Sequence, residues 1–278
     1  GGPSAAQKAF EKTLDKVEGE LGVTAGPWFL AAAHPTMVDL QYVSHVERMV
    51  ASCLYWKGMQ IRGEGAQRWP NIERWFRAFE TRPSYIACKS DIYTHVRDIP
   101  PQYGPGYSDD NLITKKAEEY ISGKGDAWRF PLKFGLQELE AWSPDMYMGE
   151  TAACHEAAWK LTNNCANVAK FACRGAGEPG RKQFSAPLAD PYATPNLEVL
   201  PEVDMLLRGV AQGLLEGPAA VEAICKAAAA EVKGASKRAA ATKCLAYVRD
   251  RVGVPRDMSY PAAMHFRASL NTAIAHLK

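Results

Sequence analysis

The residues best suited to chemistry in this chain are seven cysteines and six histidines, and their spacing limits what they can do. The cysteines are odd in number and never spaced C-x-x-C, which argues against a disulfide framework or a structural zinc site and favours a reducing compartment. Cys154 and His155 are adjacent on a predicted helix, where neighbouring side chains point about 100° apart and do not face one metal. No histidine pairs recognisably with a nucleophile or an acid. We therefore predict no catalytic site and no metal site.

A glycine-rich segment, "GAGEPG" at 175–180, matches the letters of the dinucleotide-binding fingerprint G-x-G-x-x-G. The fingerprint must follow a strand and open a helix, because its backbone amides then face the pyrophosphate. Here a predicted helix precedes the segment and Pro179 interrupts it. We interpret the segment as a loop.

The overall composition is that of an ordinary globular protein, with 47% hydrophobic and 23% charged residues. The formal net charge of +2 gives no case for a nucleic-acid partner. No apolar run is long enough to span a bilayer, and no signal or transit peptide is visible at "GGPSAAQ". A mildly basic run indicates a solvated helix face, with a phosphate-binding patch as the alternative. Its members are Lys233, Lys237, Arg238 and Lys243.

Helical periodicity recurs along the chain, whereas alternating strand patterns are nearly absent, so the predicted fold class is all-α. The segment "AAQKAFEKTLDKVEGEL" carries an apolar residue every three or four positions. A second helix is predicted from Thr36 to about Lys57, ended by Gly58. The segment "PNIERWFRAFETRP" begins with Pro70 and puts its aromatic residues on one face.

Thr36 and Asp39, in "HPTMVDL", have the spacing of a capping box at the start of the second helix. The Thr36 hydroxyl can accept a hydrogen bond from the amide of Asp39, and the Asp39 carboxylate can accept one from the amide of Thr36. The helix dipole also favours an anion at this position. We predict a structural role, in which replacing either residue by alanine costs about 1 kcal/mol or somewhat more.

These elements together resemble the C-terminal helical domain of glutathione S-transferases over about residues 5–90. In that family a Ser/Thr-x-x-Asp box, here "TMVD", begins a central buried helix. A later P-N-(I/L)-x-x-W…R-P element, here "PNIERWFRAFETRP", closes the helical core. The resemblance implies a fold and not an activity.

Three further segments, "SDIYTHVRDIPPQYG", "SAPLADPYATPN" and "YVRDRVGVPRDMSYPAA", resemble a long C-terminal extension. Such extensions occur in glutathione-S-transferase-like proteins of green algae and other plastid-bearing organisms. This second resemblance implies a chloroplast protein, either stromal or associated with thylakoids.

The predicted organisation has three parts: a glutathione S-transferase C-terminal-like helical bundle at 1–90, an irregular belt at 91–148 and a second helical block at 149–278. The belt is rich in proline, glycine and aromatic residues and holds one predicted helix, "NLITKKAEEYI". Its aromatic residues form a protein-binding surface or cover the apolar faces of the two blocks. They are Tyr93, Tyr103, Tyr107, Trp128, Phe130, Phe134, Trp142 and Tyr147.

The family resemblance also bears on ligands. The family's C-terminal domain helps to build a hydrophobic second-substrate site, so a set of side chains on or near the second helix could line a pocket for an aromatic or tetrapyrrole-like ligand. Ordinary core packing is the alternative. The set is Tyr42, His45, Tyr55 and Trp56.

The family binds glutathione on an N-terminal thioredoxin-like domain, which supplies a catalytic Ser, Tyr or Cys and a cis-proline. No such domain is visible in this sequence, and the Val254–Pro255 pair lies between predicted helices without flanking strands. We therefore expect no cofactor, and glutathione only if a thioredoxin-like domain exists outside this sequence.

The leading hypothesis is a non-catalytic binding or assembly protein. It would associate peripherally, without a transmembrane segment, with a protein partner such as a photosynthetic membrane complex, in its assembly, protection or repair. Two alternatives stay open. One is a glutathione-dependent transferase or reductase whose thioredoxin-like domain lies outside this sequence, and the other is a ligandin-like carrier of a hydrophobic ligand.

Overall fold

A computed structural model describes residues 4–103, 106–123, 128–132, 149–180 and 192–278, and these residues confirm the predicted all-α class. Within them, β structure is limited to one isolated antiparallel bridge between Glu178 and Thr194. The α-helices of this part of the chain are α1 (Ala5–Gly22), α2 (Met37–Ser52), α3 (Pro70–Glu80), α4 (Pro83–Cys88), α5 (Ile92–Tyr103), α6 (Leu112–Ser122), α7 (Glu150–Thr162), α8 (Cys165–Ala172), α9 (Leu200–Glu216), α10 (Pro218–Glu231), α11 (Ala235–Arg249) and α12 (Tyr260–Leu277).

The helix predicted from Thr36 to about Lys57 is present in two parts. A π-helix, Cys53–Lys57, extends α2 and ends at Gly58, whose φ of +63° is the left-handed conformation that glycine favours at a helix end. The side chain of Asn111 lies against this glycine, since a Cβ on Gly58 would come within 2.3 Å of Asn111 Oδ1. Both the conformation and the close approach therefore require glycine here.

The chain divides into two compact units. Among the described residues, the first unit holds everything up to Lys89 together with Ser108–Ala117. The second unit holds Ser90–Tyr107, the end of α6 and the described residues that follow. The first boundary between the units, at Lys89/Ser90, lies just before the predicted belt at 91–148, and those at Tyr107/Ser108 and Ala117/Glu118 lie inside it. The predicted domain boundaries stay predictions.

The core of the first unit is built from the apolar faces of α1, α2 and α3. The aromatic face predicted for α3 is fully buried and includes Trp75, Phe76 and Phe79. The N-terminus of α3 is capped by another helix, because both Glu18 oxygens accept from the amides of Asn71 and Ile72 at 2.8 and 2.9 Å. This contact ties the start of α3 to α1.

A buried cation cross-links the end of the first unit's core. The guanidinium of Arg62 forms bidentate ion pairs with Glu73 and with Glu80 on α3, with N–O distances from 2.5 to 3.0 Å. It also lies 4.5 Å from the ring centroid of Phe76. Because both carboxylates pair with the same arginine, its buried positive charge is compensated. All three guanidinium nitrogens donate hydrogen bonds to the carboxylates.

Helix α5 was not predicted, because it lies in the segment that the sequence indicated to be irregular. Pro100 and Pro101 led to that error, since proline lacks the amide that a helix interior uses. Both prolines fall in the last turn of α5. The start of the helix is fixed instead by Asp91, whose side chain accepts from the amide of Thr94 at 3.0 Å.

Asp91 also forms the central ion pair of the second unit. Its carboxylate accepts from Arg267 Nη1 of α12 at 2.5 Å, and both side chains are fully buried. The Arg267 guanidinium also donates to the Val252 carbonyl at 2.8 Å and lies 4.0 Å from the Tyr93 ring centroid. Burial acts to raise the pKa of Asp91, but the charge of Arg267 and the hydrogen bonds hold it below its ordinary value.

Helix α12 is the centre of the second unit and is buried along most of its length, with α7, α9, α10 and α11 packed around it. Glycine on α9 allows one of these close approaches, because a Cβ on Gly213 would lie 3.1 Å from the Val221 Cα of α10. None of the helices in the described ranges combines the length and hydropathy needed to cross a bilayer.

The predicted basic run on α11 has specific partners. Arg238 donates to the carbonyls of Ala229 on α10 and of His276 and Leu277 on α12, at 2.5 to 3.1 Å. Lys237 pairs with Glu202 of α9. Because Arg238 satisfies carbonyls at two helix C-termini, its main contribution is structural.

Replacing Asp91 by asparagine should destabilise the second unit by about 3 kcal/mol or more, because Arg267 would remain buried without a counter-charge. Asparagine keeps an oxygen for the Thr94 amide, so the change isolates the ion pair. Guanidinium unfolding followed by circular dichroism gives the measurement. Asp204→Asn, which breaks the exposed pair with Arg208 on α9, is the matched control and should shift the midpoint much less. Equal shifts in the two variants would contradict the prediction.

Candidate functional site

The helix start at Thr36 and Asp39 is the most connected polar site in the first unit. The structure forms the capping box, and one Asp39 oxygen, Oδ2, accepts from both the amide and the hydroxyl of Thr36 at 2.7 Å. The other oxygen, Oδ1, accepts from the Phe29 amide at 3.1 Å and from Trp75 Nε1 at 2.8 Å. Four donors therefore surround a carboxylate that is 0% exposed.

This carboxylate is held ionised by its donors. Burial acts to raise the pKa of Asp39, but the hydrogen bonds from Thr36, Phe29 and Trp75 together keep it below the ordinary value. Both oxygens are fully used by groups of the chain itself, so no acceptor is left for a substrate. The sequence predicted the bonds within the box but not those from Phe29 and Trp75, which carry no local signal.

The four side chains predicted to bind a ligand do not come together. Tyr42 packs against the rings of Phe29 and Trp75, with centroids about 6 Å apart, and burial raises its pKa. His45 is exposed. Tyr55 and Trp56 make an edge-to-face pair with centroids 4.6 Å apart.

Helix geometry keeps Tyr42 and His45 apart from Tyr55 and Trp56. Between Tyr42 and Ser52 alone, α2 rises about 15 Å. The Trp56 carbonyl accepts from the Asp109 amide at 2.8 Å, and its indole nitrogen is buried without a hydrogen-bond partner in the described structure. A ligand-binding role for Tyr42, His45, Tyr55 and Trp56 stays a prediction, and it would require two separate contact areas.

The other motifs singled out in the sequence lie in the second unit. Gly175 and Gly177 allow the backbone to pack closely. A Cβ on Gly175 would lie 2.3 Å from the Lys243 carbonyl oxygen, and a Cβ on Gly177 would lie 1.9 Å from the Thr194 carbonyl oxygen. Cys154 is buried, and burial raises its pKa to about 11, whereas the adjacent His155 is exposed. The described residues hold no group of three metal-ligating side chains.

The Val254–Pro255 peptide bond, noted in the sequence, is cis. It lies between α11 and α12, and the Val254 amide donates to the Thr94 hydroxyl of α5 at 3.0 Å. Helices flank it on both sides, as the sequence indicates.

The belt aromatics have different environments where the structure describes them. Tyr93 and Trp128 are buried and pack edge to face at 5.1 Å, and Phe130 stacks on His265 at 5.9 Å. Tyr107 is exposed. The side chain of Tyr103, and all of Phe134, Trp142 and Tyr147, lie outside the described residues.

A pocket that the sequence did not predict lies in the second unit. It has a volume of about 920 Å³ and is formed by α8, the end of α7, the end of α11 with the loop that follows, and Phe266 of α12. This volume is in the range of pockets that hold small organic molecules. Its apolar lining is Leu161, Val168, Phe171, Val248, Val252, Met258 and Phe266.

The polar lining of this pocket is mainly cationic. Among its described residues the basic side chains are Lys160, Lys170, Arg174, Arg251 and Arg256. The one acidic side chain there, Asp257, pairs with Arg256 at 2.8 Å and accepts from the Gly253 amide at 2.7 Å. The other four cations make no ion pair within the described structure, so the described lining carries an excess of positive charge.

Arg251 packs against Tyr247 at the wall of the pocket. Its Nη1 donates to the Tyr247 carbonyl at 3.0 Å, and its guanidinium carbon lies 3.3 Å from the Tyr247 ring centroid. Its Nε is buried without a partner among the described residues. Burial lowers the pKa of Arg251 from its ordinary value. Two arginines of the segment "YVRDRVGVPRD", Arg251 and Arg256, line this pocket, but nothing in the sequence indicates the helices that complete it.

Replacing Asp39 by alanine should destabilise the first unit by about 3 kcal/mol, more than the capping box alone predicts, because Phe29, Thr36 and Trp75 would all lose a buried acceptor. Thr36→Ala removes only the cap and should cost about 1 kcal/mol. Urea unfolding of the two variants gives the comparison. Equal costs would show that the bonds from Phe29 and Trp75 contribute nothing.

Acid should weaken the same site. The pKa of the Asp39 carboxyl is lower in the folded than in the unfolded state, where it is about 3.9. Its contribution to stability is therefore complete above the unfolded-state pKa and is lost as the pH falls through the folded-state pKa. The melting temperature should therefore fall less between pH 5 and pH 3 in Asp39→Asn than in the unchanged protein. Parallel pH profiles for the two proteins would contradict this expectation.

The comparisons with known proteins agree with the fold of the first unit. The family model described as the glutathione S-transferase C-terminal domain matches residues 4–78, which include α1, α2, the capping box and most of α3. Neither the curated proteins nor the solved structures gave a match to this chain. Residues 4–78 are therefore a glutathione S-transferase C-terminal-like domain.

Proposed function

We propose that this protein is a non-catalytic, glutathione-S-transferase-like binding protein that docks on a protein partner through an exposed apolar surface at the start of α2. The α2 apolar surface consists of Leu30, Met37, Val38 and Leu40. These side chains are 77%, 67%, 44% and 54% exposed, respectively. Exposed apolar side chains that cluster in this way mark interaction sites on proteins.

The four residues form one surface because the turn before α2 is fixed against its first helical turn. The Phe29 amide donates to Asp39 Oδ1 at 3.1 Å, which places Leu30 beside the start of α2. Met37 and Leu40 are three residues apart and share a face of that helix. The surface therefore continues from the turn onto the helix.

Leu30 is kept exposed in a strained backbone conformation, and this observation carries the proposal. Leu30 and Ala31 have φ values of +62° and +56°, in the left-handed region that residues other than glycine rarely adopt. Such residues cost about 1–3 kcal/mol each and are concentrated at functional sites. A leucine that is both strained and exposed gains nothing for the isolated fold, whereas a partner would bury it.

The identity of the partner rests on sequence resemblance. The segments that resemble the extension of plastid proteins support a chloroplast location, in the stroma or at the thylakoid surface. A photosynthetic membrane complex is then the proposed partner, with this protein acting peripherally in its assembly, protection or repair.

The test is binding of the purified protein to isolated thylakoid membranes, measured by co-sedimentation. Leu40→Asp should reduce the bound fraction about tenfold, because a charge would replace a leucine that the partner buries. Leu215→Asp is the matched control, since Leu215 of α9 is 57% exposed but lies in the second unit. Equal binding of Leu40→Asp and the unchanged protein would overturn the docking surface, and no binding of the unchanged protein would overturn the partner.

The same surface favours a second candidate. An apolar face beside the capping box would also suit a thioredoxin-like domain encoded outside this sequence, in which case the whole protein would be a glutathione-dependent transferase or reductase. The intact mass and N-terminal sequence of the native protein distinguish the two. An upstream domain with a Cys-Pro or Ser motif, together with retention on glutathione resin, would support the transferase.

A further inference from the structure

We infer that the pocket between α8, α11 and α12 binds an amphipathic organic anion, with its acidic head group near Arg251 and its apolar body against Phe171, Met258 and Phe266. This inference concerns the second unit and is independent of the proposed docking surface. It is carried by the volume of the pocket, the excess of cations over acidic side chains in its described lining, the apolar side chains beside them, and the buried Arg251 Nε.

The charge of the pocket selects an anion. Lys160, Lys170, Arg174 and Arg251 form no ion pair in the described structure, although the Asp250 charge acts on Arg251, and the pocket's own Asp257 is already paired with Arg256. A cluster of unpaired cations in a concave site raises the local concentration of anions. A cationic ligand would meet repulsion here, and a neutral one would leave the charges uncompensated.

The wall of the pocket holds a nitrogen that lacks a partner among the described residues. Arg251 Nε is buried with no acceptor, although a guanidinium normally uses its nitrogens in pairs on a carboxylate or phosphate. A carboxylate or phosphate of a bound ligand would give this nitrogen an acceptor.

The rest of the lining selects an apolar body. Leu161, Val168, Val248, Met258 and Phe266 supply aliphatic and aromatic surface, and the side chain of Phe171 stands between Arg174 and Tyr247 at 5.2 Å from each. An inorganic anion would pair with the cations but leave this apolar surface exposed to water. A pocket of about 920 Å³ instead suits a ligand with a chain or ring system.

Isothermal titration calorimetry with a head-group series on one ten-carbon chain tests the inference. Decanoate and decyl phosphate should bind, decanol should bind about tenfold more weakly or worse, and decyltrimethylammonium should not bind. Inorganic phosphate alone should also not bind measurably. If decanol binds as tightly as decanoate, or if inorganic phosphate binds as tightly as decyl phosphate, the amphipathic anion is the wrong ligand class.

Two variants locate the head group. Arg251→Gln should weaken decanoate binding about tenfold or more, and Arg174→Gln gives a second probe if Arg251→Gln lowers stability. Arg208→Gln on α9 removes the same charge outside the pocket and should leave binding unchanged. Equal affinities of all three variants, or the absence of decanoate binding at millimolar concentration, would overturn the assignment.

Discussion

A buried carboxylate at the start of a helix is the constraint on which the first unit depends. Asp39 is fully buried, and an isolated carboxylate would be strongly unfavourable there. The four donors that surround it come from the helix start at Thr36, the turn at Phe29 and Trp75 on α3. Because each donor must point at the same two oxygens, the charge fixes the turn at Phe29 and the start of α2 relative to Trp75, which lies 36 residues beyond Asp39. Apolar burial then packs α1, α2 and α3 around this fixed point.

The second unit also has a buried carboxylate at the start of a helix, but its charge is compensated differently. Asp91 also begins a helix, α5, and is also fully buried, but its second oxygen accepts from Arg267 rather than from neutral donors. An ion pair of this kind compensates charge at a desolvation cost on both partners, so its contribution appears mainly when one partner is removed. It joins α5 to the buried α12, which is the helix around which α7, α9, α10 and α11 pack.

The sequence predicts these features only where their signal is local. The capping box at Thr36 and Asp39 and the aromatic face of α3 lie within one or two helical turns, and spacing alone indicated both. Helix α5 was missed because local proline chemistry argued against it, while its stabilising partner, Arg267, lies 176 residues away. The cationic pocket was missed for the same reason. Its lining runs from Lys160 to Phe266, and no short window contains enough of it to show a pattern.

The structural carboxylate and the proposed surface are connected through Leu30. Its positive φ is unfavourable by itself, so the turn keeps this conformation only because the surrounding contacts determine it. One such contact is made by the preceding residue, Phe29, whose amide donates a hydrogen bond to Asp39 Oδ1. A loss of Asp39 would therefore relax the turn as well as the helix start, and Leu30 would no longer be held beside Met37 and Leu40. In this domain the residue that stabilises the fold also holds the turn that carries Leu30, so the cap and the proposed docking surface depend on the same carboxylate.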